Sequence, residues 1–124
     1  MPAKRILIAE SNAFFANAIA DLLSGTGGDV IATTPEKSEI LGLVQELEPD
    51  LLIVDYDMAK GDKAGNPGIE AIKEYLPGTK ILVLGFHEAA DAFVESLLQK
   101  GFDGFYNKFD SSDGLQKALN ALLV

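Results

Sequence analysis

Apolar residues follow two alternating rhythms along the chain. Short blocks rich in Ile, Leu and Val alternate with stretches where apolar positions recur every three or four residues. The first rhythm predicts strands and the second amphipathic helices. KRILIAE (4–10) predicts strand 1. A helix follows, with Ser11 or Asn12 as its cap and Phe15, Ala18, Ile19, Leu22 and Leu23 on its apolar face. GTGG (25–28) ends that helix with residues that tolerate left-handed geometry. DVIAT (29–33) predicts strand 2. Thr34-Pro35 predicts a helix start, with Pro at the first helical position and Ile40, Leu41, Val44 and Leu47 facing inward.

Pro49-Asp50 breaks into LLIVD (51–55), a third strand with no polar position before its end. Residues 56–66 predict a polar, Gly-rich loop, and Asn66-Pro67 starts a short helix carrying Ile69, Ile72 and Leu76. TKILVLG (79–85) predicts strand 4. The next helix carries Ala90, Phe93, Val94, Leu97 and Leu98 and closes at Gly101. FDGFY (102–106) predicts a weaker strand 5. Ser111 or Ser112 caps a last helix with Leu115, Ala118, Leu119, Leu122 and Leu123. Five β-α units of this kind imply an α/β fold whose parallel sheet is covered on both faces. Five strands suit the flavodoxin-like, doubly wound order 2-1-3-4-5. The expectation is one domain over residues 1–124, with nothing attached after the last helix.

Composition narrows the chemistry. The chain has 124 residues, 48% hydrophobic and 23% charged, which suits a single core. A net charge of −9 argues against direct binding to nucleic acid or to anionic lipid. No cysteine is present, which removes disulfides, thiolate nucleophiles and Cys-ligated zinc. The one histidine, His87, rules out a site of several imidazoles and reads as a surface helix-start residue. No apolar run is long enough to span a membrane, and acid follows too early for a signal peptide. A cytoplasmic protein is expected.

In open α/β sheets, ligands sit beyond the carboxyl ends of the strands, at the switch in strand order. Strand 1 delivers Glu10-Ser11 there, strand 3 Asp55-Tyr56-Asp57, strand 4 Gly85-Phe86-His87-Glu88, and strand 5 Asn107-Lys108. Strands 1 and 3 are neighbours in this order. Glu10, Asp55 and Asp57 are therefore expected to converge on one crevice, with Lys108 on its far side. Oxygen donors without His or Cys suit Mg²⁺. A carboxylate beside such an ion could attack phosphorus and form an acyl phosphate, with Lys108 meeting the phosphoryl charge.

The chain resembles the receiver domain of two-component response regulators over essentially its whole length. The resemblance rests on ILIAES, PDLLIVDYDM, ILVLGFHE and GFDGFYNKFD, in that order and with matching spacing. The last two look most like receivers of the nitrate-regulator class, which usually carry a helix-turn-helix output domain. The resemblance implies that Asp55 accepts a phosphoryl group from a histidine kinase or phosphotransfer protein. It implies that Lys108 contacts that group and that Phe105 is the aromatic that changes rotamer. It places Asp57 where a backbone carbonyl binds Mg²⁺, beside Glu10 and Asp55. It also implies a downstream protein partner on the face from strand 4 to the last helix, residues 86–109.

The departures are specific. Ser11 stands where the family usually has a second acid, which predicts weak Mg²⁺ binding in which the Asp57 side chain compensates. Gly85 stands where the family usually has Ser or Thr, so the strand-4 hydroxyl contact is missing. KGDKAGNPG makes the following loop roughly five residues longer than is typical. Ser11 and Gly85 keep open an alternative, an atypical receiver that binds proteins without phosphorylation. Asp55-x-Asp57 after an apolar strand also resembles a haloacid-dehalogenase-type phosphatase motif. Ala59, the third-strand position and the short remaining chain oppose that enzyme reading.

Overall fold

The computed structural model describes residues 3–60, 68–85, 95–96, 98–108 and 110–123. Five strands form one parallel sheet: β1 (Lys4–Ala9), β2 (Gly28–Thr34), β3 (Leu51–Asp55), β4 (Lys80–Gly85) and β5 (Gly104–Asn107). Their spatial order is β2-β1-β3-β4-β5, as the strand pattern predicts. The described helices are α1 (Ala13–Leu23), α2 (Ile40–Leu47), the single turn α3 (Tyr56–Ala59), α4 (Ile69–Tyr75) and α5 (Ser112–Leu122). Residues 95–96 and 98–99 are also helical. Among the described residues, no helix is long and apolar enough to cross a membrane.

The unbroken apolar runs are explained by two layers of cover. Every residue of β3 is buried, because alternate side chains enter different cores. Leu7, Ala9, Leu52, Val54, Ile81 and Val83 pack under Ile40 and Val44 of α2, Met58 and Ala59 of α3, and Ile72 of α4. Ile6, Ile8, Leu51, Ile53, Leu82 and Leu84 face Ala16, Ile19 and Leu23 of α1, and Leu115 and Leu119 of α5. Each such aliphatic side chain contributes about 1.5–3 kcal/mol by leaving water. The sheet therefore has no polar face on which a ligand could sit. Its free polar groups are confined to the strand ends.

Several boundaries differ from the sequence expectation. The cap of α1 does not: of the two expected candidates it is Asn12, whose Oδ1 accepts from the Phe15 N–H at 3.1 Å. Ala16 lies in the core while Ala18 is exposed, so the buried stripe of α1 is Ala16, Ile19 and Leu23. Thr34-Pro35 does not begin a helix. Thr34 is the buried end of β2, and its hydroxyl accepts from the Glu36 N–H and donates to Glu39 Oε2. A 3-10 turn (Lys37–Glu39) then leads into α2. Residues 56–59 are helical rather than loop, because Met58 and Ala59 have core to fill. Strand 5 is shifted to Gly104–Asn107, since Asp103 is occupied otherwise. Its Oδ2 accepts from the Ile81 N–H at 2.8 Å and pairs with Lys73 at 2.9 Å. Leu98 is 47% exposed rather than core. His87, Asn66-Pro67, residues 61–67 and Ala90, Phe93, Val94 and Leu97 lie outside the described residues.

One tie closes the fold beside the strand ends. The buried Tyr106 hydroxyl lies 2.7 Å from both the Asp110 and Ser111 carbonyls, fastening β5 to the start of α5. Burial, and secondarily the Asp110 charge, raise its pKa above 10.0. A raised pKa means that the folded state prefers the neutral phenol. That contribution is complete below the unfolded value and is lost as pH rises through the folded one. Tyr106→Phe should cost about 0.5–1.5 kcal/mol at neutral pH. In urea melts, the gap between wild type and variant should shrink above pH of about 10. A gap that stays constant through that range would show that the phenol is not the linked group.

Candidate functional site

The register of three strands assembles the site. Ala9 pairs with Val54 and Asp55 with Leu84. Glu10 therefore emerges beside Asp55 at the carboxyl edge. Gly85 pairs with Asn107, which delivers Lys108 one residue later, and the Lys108 N–H donates to the Gly85 carbonyl at 2.7 Å. Residues 10, 55 and 108 thus meet although they lie far apart in sequence.

Their side chains form one buried ionic group. Lys108 Nζ lies 3.0 Å from Glu10 Oε1 and 2.9 Å from Oε2. It lies 3.4 Å from Asp55 Oδ1. The Lys108 side chain is 4% exposed, Glu10 1% and Asp55 12%. The lysine is not on the far side of the crevice, as the strand order alone suggests; it sits between the two acids. Glu10 Oε1 also accepts from the Asn12 N–H at 3.2 Å. Glu10 Oε2 is buried with no directed hydrogen bond, held by its ionic contact with Nζ. Two carboxylates against one ammonium leave the group with excess negative charge.

A cleft of about 250 Å³ opens beside it, lined by Glu10, Ser11, Asn12, Phe15, Asp55, Asp57 and Lys108. Asp57 borders this cleft, but its side chain is 82% exposed and pairs with Lys60 at 3.4 Å. The expected convergence of three carboxylates is thus reduced to two, because the helical turn at 56–59 carries Asp57 outward. Among the described residues, no cluster of three acids or imidazoles that could hold a metal occurs. Two carboxylates beside an open cleft remain compatible with Mg²⁺, which keeps several of its waters.

Gly85 and Phe105 also meet. A Cβ on Gly85 would lie 3.1 Å from Cε2 and 3.2 Å from Cζ of Phe105, and 3.6 Å from the Tyr56 Cβ. The Phe105 ring, half-buried, therefore covers the place where a strand-4 side chain would begin. Phe15 escapes the sequence reading as a site residue: helical spacing assigns it to the core. Half-buried, it does pack against the core under α1, and its ring also lies under the lysine, with Nζ 4.8 Å from the centroid.

Comparison with known proteins agrees with this architecture. The family model for the response regulator receiver domain matches residues 6–120. The transcriptional regulatory protein LnrK of Bacillus subtilis is 33% identical over 91 residues, 73% of this chain and 40% of LnrK. The chemotaxis protein CheY of Thermotoga maritima is 28% identical over 94% of this chain and 95% of its own length. Among solved structures, the isolated receiver domain of RcsB from Salmonella enterica serovar Typhimurium, with a phosphomimetic BeF₃⁻, superposes with a TM-score of 0.83. It is 25% identical and covers 97% of this chain and 88% of that one. The chain spans well under half the length of the transcriptional and methylesterase relatives that it matches. The chain belongs to the response regulator receiver domain family of two-component systems.

The ionic group sets a stability test. Lys108→Met leaves Glu10 buried without a counter-ion, a change that costs about 3–5 kcal/mol. Glu10→Gln should cost less, because Lys108 keeps Asp55. The double variant should recover most of the loss, measured by chemical denaturation as a double-mutant cycle. Additive single losses would show that the two side chains do not depend on each other.

Proposed function

We propose that this receiver domain takes a phosphoryl group on Asp55 from a histidine kinase or phosphotransfer protein, in the presence of Mg²⁺. The observation that carries the reading is the Lys108 ammonium held 2.9–3.4 Å from Glu10 and Asp55 at the mouth of a cleft. An Asp55 oxygen attacks the phosphorus, the phosphorus–nitrogen bond of the donor phosphohistidine breaks, and the imidazole leaves with the electron pair. The acyl phosphate then stays on Asp55. Lys108 is close enough to turn one N–H from a carboxylate toward a phosphoryl oxygen. Glu10 and Asp55 would be the donors for Mg²⁺, with Asp57 at the rim, and the ion would supply charge neutralisation for the phosphoryl oxygens. Receiver domains are in general signalling domains rather than enzymes. The output is a protein partner bound on the side of β4 and β5, with no direct contact to nucleic acid.

Incubation with Mg²⁺ and acetyl phosphate should add the mass of one phosphoryl group. Asp55→Asn should abolish the gain, because a carboxamide cannot form the acyl phosphate. Lys108→Ala should slow it by about 10- to 150-fold, the loss of one hydrogen bond to a charged group. Asp57→Asn should weaken Mg²⁺ binding in titration if the rim acid contributes. No mass gain in the wild type at high Mg²⁺, or a gain that survives in Asp55→Asn, would overturn the assignment.

A second reading, weak switching with largely constitutive partner binding, is favoured by Phe105. Its ring already covers Gly85. A ligand shifts a two-state equilibrium only by its difference in affinity for the two states. Gly85 offers the phosphoryl group no hydroxyl, which removes a hydrogen bond of about 1.5–3 kcal/mol from that difference. Beryllofluoride should therefore change wild-type amide NMR shifts over residues 98–108 only slightly. It should change those of Gly85→Thr more, since threonine both restores the hydroxyl and displaces the ring. Wild-type shifts as large as those of Gly85→Thr would refute this reading.

A further inference from the structure

We infer that Phe15 is a positioning residue for Lys108, a role that rests on Lys108 being the phosphoryl contact proposed above. The Phe15 ring lies 4.8 Å from Nζ and lines the same cleft as Glu10, Asp55 and Lys108. An aromatic face is the negative end of the ring quadrupole, so it attracts an ammonium and at the same time keeps water from it. A lysine on a flexible four-carbon stem is otherwise free to swing toward solvent. Here the carboxylates draw Nζ from one side and the ring bounds it on another.

The helix start that carries the ring is itself tied to the site. Glu10 Oε1 accepts from the Asn12 N–H at 3.2 Å, and Asn12 Oδ1 accepts from the Phe15 N–H at 3.1 Å. The Phe15 ring then meets Lys108, and Lys108 donates to Glu10 Oε1 at 3.0 Å. Glu10, Asn12, Phe15 and Lys108 form a closed circuit joining the end of β1, the cap of α1 and the end of β5. The circuit fixes where the ammonium waits. When a phosphoryl group arrives, one N–H can redirect to it without Nζ leaving the cleft. Ser11 supplies no charge beside this circuit, so the ring also provides an attraction for the cation that does not depend on a second acid.

The test reads Lys108 directly in the intact, lysine-labelled protein by NMR. In the wild type, the Lys108 ammonium protons should exchange slowly with water, and its ε-methylene protons should be shifted upfield by the ring current. Phe15→Leu and Phe15→Met keep apolar volume without the aromatic face. In both, ammonium exchange should accelerate by about 2- to 30-fold, the range expected for loss of one cation–π contact. Phe15→Tyr keeps the face and should retain both signatures. Phosphorylation by acetyl phosphate should slow by a similar factor in Phe15→Leu and be restored in Phe15→Tyr. Ammonium exchange as slow in Phe15→Leu as in the wild type would overturn the proposal, as would an absent upfield shift. So would an unchanged transfer rate with a loosened ammonium. Failure of the wild type to take a phosphoryl group would instead count against the function of Asp55, and the NMR comparison would still decide the placement of Lys108.

Discussion

One ammonium between two buried carboxylates governs the business end of this fold. Glu10, Asp55 and Lys108 lie on three strands, and each side chain is nearly sealed from water. Buried carboxylates are tolerated only when a counter-charge and hydrogen bonds meet them. The register Ala9 with Val54 and Gly85 with Asn107 puts those charges within reach. A slip of one residue in the first pairing would separate Glu10 from Asp55, and a slip in the second would withdraw Lys108 from both. Both faces of the sheet are filled with aliphatic side chains, so no other place in the sheet could receive these charges. Fold specificity and chemistry thus make the same demand on the strand ends.

The second constraint is steric and lies one strand away. Gly85 has no side chain, and the Phe105 ring uses that space. A Cβ at 3.1–3.2 Å from the ring would require the ring to yield by a few tenths of an ångström or to turn. Residue 85 therefore does two things in one position. It decides whether strand 4 offers a hydroxyl to the cleft, and it decides how far Phe105 can lean over the strand. Loss of the hydroxyl and seating of the ring are therefore two consequences of one glycine in this chain.

The sheet was legible because its signal is repeated. Five apolar blocks, each followed by helical spacing, admit few topologies, and the strand-end rule then brings Glu10, Asp55 and Lys108 to one edge. What spacing could not carry was direction. Asp55 and Asp57 are alike in sequence, yet the turn at 56–59 buries Met58 and Ala59 and thereby sends Asp57 into solvent beside Lys60. Thr34-Pro35 has the composition of a helix start, but the Thr34 hydroxyl has better partners in Glu36 and Glu39, which delays α2. Phe15 lies on the apolar stripe of α1 and packs against the core, and nothing in its period tells that the ring also meets an ammonium. Local patterns report burial; they do not report which charged group shares the space.

The asymmetry of the lysine contacts bears on the order of events at the site. Nζ is 2.9–3.0 Å from both Glu10 oxygens but 3.4 Å from Asp55. Charge-assisted contacts strengthen steeply as they shorten, so Glu10 is the tighter anchor and Asp55 the looser partner. A carboxylate less engaged by an ammonium keeps more lone pairs to offer, which suits the nucleophile role proposed for Asp55. A phosphoryl group on Asp55 adds negative charge next to Nζ, while the contact with Glu10 need not break. Under the reaction proposed above, Lys108 would gain a phosphoryl oxygen at the expense of the longer of these two carboxylate contacts. In this geometry Glu10 is the tighter of the two carboxylate anchors of Lys108, and Asp55 keeps the freer oxygens.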